Sequence, residues 1–139
     1  MKKNNKKGFT LVELVIVVAV MAVLVAVAIP VVSSITSSAE TAVDKSNART
    51  IESILKLAQA EAAKSGDGAG TLSTTTVESA LADAKLGIET GTFYYDEVSG
   101  ECATTDNTAD GYKIVFGGTG NETEIDGVTY KFKVTEETT

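Results

Sequence analysis

Glu13 is a carboxylate at the front edge of a stretch that is otherwise apolar. From Leu14 to Val32 every residue is apolar, and the next charged side chain is Glu40. A carboxylate at the centre of a bilayer costs about 2.5–3.5 kcal/mol or more. The helix dipole offsets only about 0.3–1 kcal/mol for an acid in the first turn. The dipole alone therefore does not account for this charge.

The other residue types exclude most catalytic and metal chemistry. There is no histidine, and Cys102 is the only cysteine. Neither an intramolecular disulfide nor a zinc site of cysteines and histidines can therefore form. We interpret Cys102 as a small, half-buried apolar residue, and the alternative is a reactive or intermolecular thiol. No enzyme activity, cofactor or resident metal is expected.

Two short polar segments suggest modification or ion binding. Asp106, Asn107 and Asp110 carry the hard oxygen ligands that calcium prefers, but their spacing is not that of an EF-hand. We favour a polar turn there. Asn121 begins a formal glycosylation sequon, which we interpret as the end of a hairpin.

Charge is distributed unevenly. The chain has 12 basic and 19 acidic side chains, and four of the basic ones precede the apolar stretch: Lys2, Lys3, Lys6 and Lys7. From Phe9 onward the side-chain net charge is −11. A nucleic-acid-binding protein needs a basic face for the phosphates, so no specific nucleic-acid partner is expected.

The apolar stretch has the length of a membrane span. About 20 apolar residues cross a hydrocarbon layer of about 30 Å, and Leu14–Val32 is close to this length. Because lysines lie on one side only, the positive-inside rule places Met1 in the cytoplasm and the rest of the chain outside.

Helical periodicity continues beyond the apolar stretch. Val43, Asn47, Ile51, Ile54, Leu55, Ala58 and Ala62 recur at steps of three and four residues, with charged side chains on the other face. We predict one helix from about Phe9 to about Lys64, roughly 80 Å long. Pro30 is expected to kink it. The glycines of Ser65–Gly70 end it.

The remainder predicts a small α+β head. A short helix is expected over Thr76–Leu86, with Thr75 and Glu78 as a capping box and Gly87 as the stop. Three aromatic and β-branched runs follow as strands: "TFYYDE", "GYKIVFG" and "VTYKFKV". The sequence "IDGV" at Ile125–Val128 indicates a hairpin turn. The antiparallel sheet needs a cover for its apolar face, and the amphipathic part of the long helix is the nearest candidate.

The N-terminus "KKGFTLVE", followed by an uncharged segment that ends at Pro30, resembles that of type IV pilin precursors. Gly8, Phe9 and Glu13 match the glycine before the cut, the phenylalanine after it and the glutamate at the fifth mature position. Pro30 lies where many major pilins have a proline. The motif covers about the first third of the chain, and the rest matches by architecture only.

The resemblance implies a function and a division of the chain. A prepilin peptidase would cut between Gly8 and Phe9 and methylate the new amino group, and Glu13 would neutralise the terminus of a neighbouring subunit. Residues 1–8 would be the leader, 9–32 the membrane helix that later forms a filament core, 33–64 its amphipathic continuation and 65–139 the head. The implied product is an extracellular pilus of many copies, built with an assembly platform and minor pilins.

The chain departs from the family pattern in two ways. Many relatives have a glycine between the glutamate and the proline, where the helix unwinds, and this chain has none between Gly8 and Gly66. The disulfide pair of many Gram-negative pilins is also missing. The single Cys102, the acidic head and the short leader look more like a Gram-positive, clostridial-type pilin. Without a disulfide, the aromatic residues Tyr94, Tyr95, Phe116, Tyr130 and Phe132 are expected to hold the head together.

Two alternatives remain open. "AVA" at Ala26–Ala28 fits an ordinary signal-peptide cleavage site, which would make the protein a secreted domain. A pseudopilin of a type II secretion or DNA-uptake system shares the assembly chemistry of a pilin. Neither alternative requires an enzyme.

Overall fold

The computed structural model describes residues 8–64, 70–106 and 110–138. The chain divides into two compact units, one up to Glu40 and one from Thr41 to Thr139. Helix α1 (Leu11–Lys64) contributes residues to both units. After α1 come α2 (Thr74–Ala84), β1 (Gly91–Asp96), β2 (Cys102–Ala103), β3 (Asp110–Phe116), β4 (Thr123–Ile125), β5 (Val128–Tyr130) and β6 (Phe132–Thr138). The predicted α+β class, a long N-terminal helix with an antiparallel sheet, is confirmed.

The second part of α1 supplies one wall of the core. Its buried residues are Ala48, Ile51, Leu55 and Ala58, which recur every three or four positions on one helical face. Three of them lie on the predicted face. Val43 was also predicted for that face, but it precedes the first buried position and is 57% exposed.

Helix α2 begins and ends two residues earlier than predicted. Its N-cap is Ser73, whose Oγ accepts a hydrogen bond from the Thr76 N–H at 3.2 Å. A hydroxyl two residues upstream of Thr75 therefore satisfies the first turn. Lys85 ends the helix in the left-handed conformation, with φ 47° and ψ 48°. The expected stop at Gly87 was thus wrong: the left-handed residue is a lysine whose N–H bonds the Ala82 carbonyl at 3.2 Å.

The main sheet has four antiparallel strands in the order β2-β1-β3-β6. Gly111 lies in β3, where an added Cβ would come within 2.0 Å of the Tyr95 carbonyl oxygen, so this position requires glycine. The predicted strands "TFYYDE" and "GYKIVFG" correspond to β1 and β3 within one residue.

The third predicted strand is two strands. It breaks at Lys131, and β5 pairs with β4 in a separate hairpin whereas β6 pairs with β3. The turn of that hairpin is Asp126–Gly127, and both residues have positive φ, 50° and 77°. Positive φ at both central residues is what a two-residue type I′ turn requires, so the predicted turn at "IDGV" is confirmed.

One apolar core lies between the sheet, α2 and the second part of α1. Ile51, Leu55, Phe93, Tyr95 and Ile114 each have 0% exposure. Of the aromatic residues expected to hold the head together, Tyr95, Phe116 and Phe132 are buried and Tyr130 packs against the cluster. Tyr94 instead lies on the outer face of the sheet, 5.5 Å from the Lys113 Nζ to its ring centroid.

Candidate processing and assembly segment

Gly8, Phe9 and Thr10 precede the first helical turn. They are exposed and belong to no helix or strand, and the first helical hydrogen bond runs from the Leu14 N–H to the Thr10 carbonyl at 3.3 Å. A Cβ added to Gly8 would meet no atom within 4 Å. The packing of the described chain therefore does not require glycine at this position. Lys2, Lys3, Lys6 and Lys7 lie outside the described residues.

Glu13 is bound locally by Thr10. One carboxylate oxygen, Oε2, accepts hydrogen bonds from the Thr10 N–H at 3.0 Å and from the Thr10 Oγ1 at 2.9 Å. In return, the Thr10 Oγ1 accepts the Glu13 N–H at 3.2 Å. This reciprocal arrangement is a capping box, with Thr10 as the N-cap and Glu13 three residues later.

The capping box gives Glu13 a structural role at the helix N-terminus. Sequence reasoning considered only the dipole there and missed Thr10, although the Thr-x-x-Glu spacing is itself the signal. Both partners lie after the Gly8–Phe9 bond, so hydrolysis of that bond would leave the capping box intact. Among the described residues, no hydrogen bond reaches the second carboxylate oxygen of Glu13.

The apolar side chains that follow are exposed on every side of the helix. Every large apolar side chain from Phe9 to Ile35 is exposed, between 49% at Val17 and 84% at Phe9. By length and composition this part of α1 is able to cross a membrane. Because residues on all faces of the helix are apolar, an apolar environment outside this unit must cover them.

Pro30 lies within α1, and the helix continues across it without a break. Proline has no N–H, so the Ala26 carbonyl lacks its usual helical donor. Hydroxyl groups after it bond back to the preceding turn: the Thr36 Oγ1 donates to the Val32 carbonyl and the Ser38 Oγ to the Ser34 carbonyl, both at 3.0 Å. These bonds lower the cost of placing the "SSITSS" segment near an apolar environment. The expected kink at Pro30 stays a prediction.

The other candidate residues lie in the head and have structural partners. Cys102 is half-buried against the core, and burial together with the negative charge of Glu52 raises its pKa to about 12. A thiol with so high a pKa is almost entirely protonated at neutral pH and therefore unreactive, which supports the packing interpretation. The Asn121 Nδ2 donates to the Gly117 carbonyl at 2.8 Å.

The possible calcium loop lies partly outside the described residues, because Asn107 is not among them. Asp110 is the first residue of β3, and its carbonyl accepts the Glu97 N–H at 3.2 Å. Among the residues that the structure describes, no group of three acidic, histidine or cysteine side chains is placed to hold a metal.

Comparison with known proteins identifies the N-terminal segment. The family of the prokaryotic N-terminal methylation motif matches residues 3–29. A 60-residue segment is 44% identical to prepilin peptidase-dependent protein A from Clostridium perfringens (strain 13 / Type A). The match spans 43% of this chain and 43% of that relative, so it covers less than half of either. No solved structure gives a significant match.

Proposed function

We propose that the chain is a type IV prepilin and that it becomes a structural subunit of an extracellular pilus, because its N-terminal segment matches the methylation motif and prepilin peptidase-dependent protein A. In this proposal a prepilin peptidase cuts between Gly8 and Phe9 and methylates the Phe9 amino group. The precursor lies in the cytoplasmic membrane with its N-terminus in the cytoplasm. An assembly platform and minor pilins then incorporate it into a polymer of its own kind.

The observation that carries the proposal is the exposure of the apolar part of α1. A side chain such as Leu24, 63% exposed, gains about 25 cal/mol for each Å² of apolar surface removed from water. A bilayer removes that surface from water in the precursor, and identical helices remove it in a filament. Residues 9–32 would therefore serve two apolar environments in turn, and residues 65–139 would form the displayed head.

The cleavage step explains why a carboxylate lies at position 13. Hydrolysis of the Gly8–Phe9 bond creates an amino group at Phe9 that is positively charged at neutral pH. In a bundle of apolar helices an unpaired charge is costly, and removing one partner of a buried pair costs about 3–5 kcal/mol. Both hydrogen bonds from Thr10 go to Oε2 of Glu13. The second carboxylate oxygen, Oε1, can therefore accept a hydrogen bond from the ammonium group of a neighbouring subunit. The pairing would fix the axial position of each subunit.

Substitutions that separate the charge of Glu13 from its capping role test the proposal. Glu13→Gln keeps an oxygen for the Thr10 N–H and removes the charge, whereas Thr10→Ala removes the N-cap hydroxyl and keeps the charge. We expect both variants to be cut and N-methylated at Phe9, as measured by mass spectrometry of the mature N-terminus. Fibre yield in Glu13→Gln should fall to a small fraction of wild type, and Thr10→Ala should assemble much better.

Three results would contradict parts of the proposal. A mature N-terminus at Ile29 would establish an ordinary signal peptide. Fibre loss in Thr10→Ala with normal fibres in Glu13→Gln would assign Glu13 to the helix cap alone. Correct processing without long surface fibres that contain this chain would favour the pseudopilin alternative.

A further inference from the structure

The two edge strands of the main sheet, β2 and β6, differ in length and in what their outward backbone groups bond. At one edge β2 is only two residues long, and its Cys102 N–H donates to the Glu52 carboxylate on α1. At the other edge lies β6, seven residues long, and β3 is its only partner among the strands of the described residues. A long edge strand presents a row of backbone groups on which another strand can pair.

The register of β3 and β6 determines which backbone groups of β6 point outward. The Gly117 N–H donates to the Lys131 carbonyl at 2.9 Å, so these two residues form a hydrogen-bonded pair. Because such pairs alternate along an antiparallel ladder, the N–H and C=O groups of every second residue of β6 point away from β3. These residues are Phe132, Val134, Glu136 and Thr138.

Among the described residues, a hydrogen-bond partner is found for only the first of these outward positions. The Phe132 carbonyl accepts the Thr123 hydroxyl at 2.7 Å, which confirms that this group points outward and closes that end of the edge. From Val134 to Thr138 no described residue bonds the outward backbone groups. Thr135, Glu136 and Thr138 are also exposed. The open part of the edge is therefore the segment Val134–Thr138.

We propose that this open edge pairs with the same edge of a second copy, as antiparallel strands centred on Thr135. Val134 of each copy then exchanges backbone hydrogen bonds with Glu136 of the other. Lys133 of each copy lies opposite Glu137 of the other, on the outer face of the joined sheet. The two four-stranded sheets become one sheet of eight strands.

The charges on β6 select this register. If one β6 strand slides along the other by two residues toward the C-terminus, Glu136 comes to lie opposite Glu136 of the other copy. If it slides by four residues, Glu137 lies opposite Glu137. Like charges directly opposite each other destabilise a strand pair. A shift in the other direction places Phe132 opposite Glu136, inside the paired segment, although Thr123 already holds the Phe132 carbonyl. In the register centred on Thr135, Phe132 lies only at the end of the pairing, opposite Thr138. Only the register centred on Thr135 gives two Lys133–Glu137 ion pairs.

In the isolated chain, Glu137 and Lys133 already lie where this contact would use them. Glu137 lies 3.7 Å from Lys113 on its own strand pair, so a second lysine would leave it between two cations. Lys133 is exposed and forms no ion pair with any residue in the described ranges. The contact is two-fold symmetric, so it closes on itself and joins two copies rather than building a polymer. Within fibres it would link heads of neighbouring fibres, and it does not depend on how the N-terminus is processed.

Cross-linking through Thr135 tests the contact. Non-hydrogen-bonded antiparallel partners have Cα atoms about 4.5 Å apart, which lies within the range of a disulfide. In the full chain with Cys102→Ala, solubilised in detergent, we expect Thr135→Cys to form a disulfide dimer under mild oxidation. Thr129→Cys, exposed on the β4–β5 hairpin, is the control and should remain largely monomeric. Peptide mapping by mass spectrometry identifies the linked residues.

Charge reversal then tests the register. Lys133→Glu alone and Glu137→Lys alone, each in the Thr135→Cys chain, should lower the dimer yield roughly tenfold, since both introduce like-charge pairs. Mixing these two variants restores opposite charges at both positions, so the mixture should form mixed dimers at about the original yield. Circular dichroism shows whether each variant is folded. Equal cross-linking at positions 129 and 135, or a mixture that yields no more dimer than either variant alone, would overturn the proposal.

Discussion

Helix α1 uses its apolar side chains in opposite ways in its two parts. Up to Ile35, large apolar residues occur on all faces and every one is exposed. From Thr41 to Lys64 the buried apolar residues form one stripe, in which Ile51 and Leu55 have 0% exposure, whereas Val43 and Leu57 remain exposed outside it. A single stripe matches the apolar face of one sheet, so the chain covers it by itself. Apolar residues on every face require cover from outside, which is the physical basis for proposing membrane insertion followed by polymerisation.

The difference between the two parts is tested most strongly at Leu55. Leu55→Ala should lower the free energy of unfolding of the head by about 2–5 kcal/mol, because it removes a fully buried side chain and leaves a cavity. The measurement is denaturant unfolding of the detergent-solubilised chain, followed by near-ultraviolet circular dichroism of the tyrosines.

Two leucines on the same helix serve as controls. Leu57, two residues away, is 62% exposed, so Leu57→Ala should change the stability of the head by about 0.5 kcal/mol or less. Leu24→Ala, in the apolar part, should leave it unchanged. If Leu24→Ala destabilised the head as much as Leu55→Ala does, the two parts of α1 would not be energetically separate.

Most of the fold could be predicted because its signals are local. The three-and-four spacing around Ile51 identified the covered face of α1, and "IDGV" identified the hairpin turn. The strand break at Lys131 could not be read from alternation, because Tyr130 and Phe132 point to the same side as they would in one strand. Which neighbour each strand pairs with depends on contacts distant in sequence. Similarly, β2 and the Thr135–Thr138 end of β6 lack the aromatic residues that marked the other strands.

The candidate site shows the same limit. Gly8, Phe9 and Glu13 could be singled out because their segment resembles the N-terminus of type IV pilin precursors, and the methylation-motif match covers residues 3–29. The hydrogen bonds between Thr10 and Glu13 required the structure, because the Thr-x-x-Glu spacing is compatible with a capping box but does not show where the Glu13 side chain points. The open edge of β6 could not be predicted at all, since it depends on sheet order.

The buried part of the head should lose stability at alkaline pH. Burial, with nearby carboxylates such as Glu97, raises the pKa of Tyr95 and of Tyr112 to about 12, and burial raises that of Cys102 to about 12. In the unfolded chain the phenols ionise near pH 10 and the thiol near pH 9, so the unfolded state binds fewer protons than the native state above those values. The free energy of unfolding should therefore be constant for these groups below about pH 9 and fall as the pH rises toward 12.

Tyr112→Phe separates this effect from general alkaline damage. The variant loses the bond from the Tyr112 hydroxyl to the Leu72 carbonyl and is less stable at neutral pH. Its stability should nevertheless fall less steeply with pH than that of the wild-type chain, because one titrating phenol is gone. The measurement is denaturant unfolding at several pH values from 8 to about 11.5, and equal slopes for the two proteins would contradict the assignment.

The smallest expected effect concerns Glu52, a half-buried residue of α1 beside the β2 edge. Its carboxylate lies 2.6 Å from the Lys56 Nζ and also accepts the Cys102 N–H at the β2 edge. The hydrogen bond from Lys56 is the main reason why the pKa of Glu52 is lowered. Glu52→Gln keeps an acceptor for that N–H and should cost only about 0.3–0.5 kcal/mol. Glu52→Ala loses both interactions and should cost about 1 kcal/mol more. Because the pKa of Glu52 is lowered in the fold, the charge contribution is present above its ordinary value near 4.5 and is lost as the pH falls, so Glu52→Gln should differ less from the wild type in acid. Equal stabilities of the Gln and Ala variants would mean that Glu52 acts on Lys56 alone and does not protect the β2 edge.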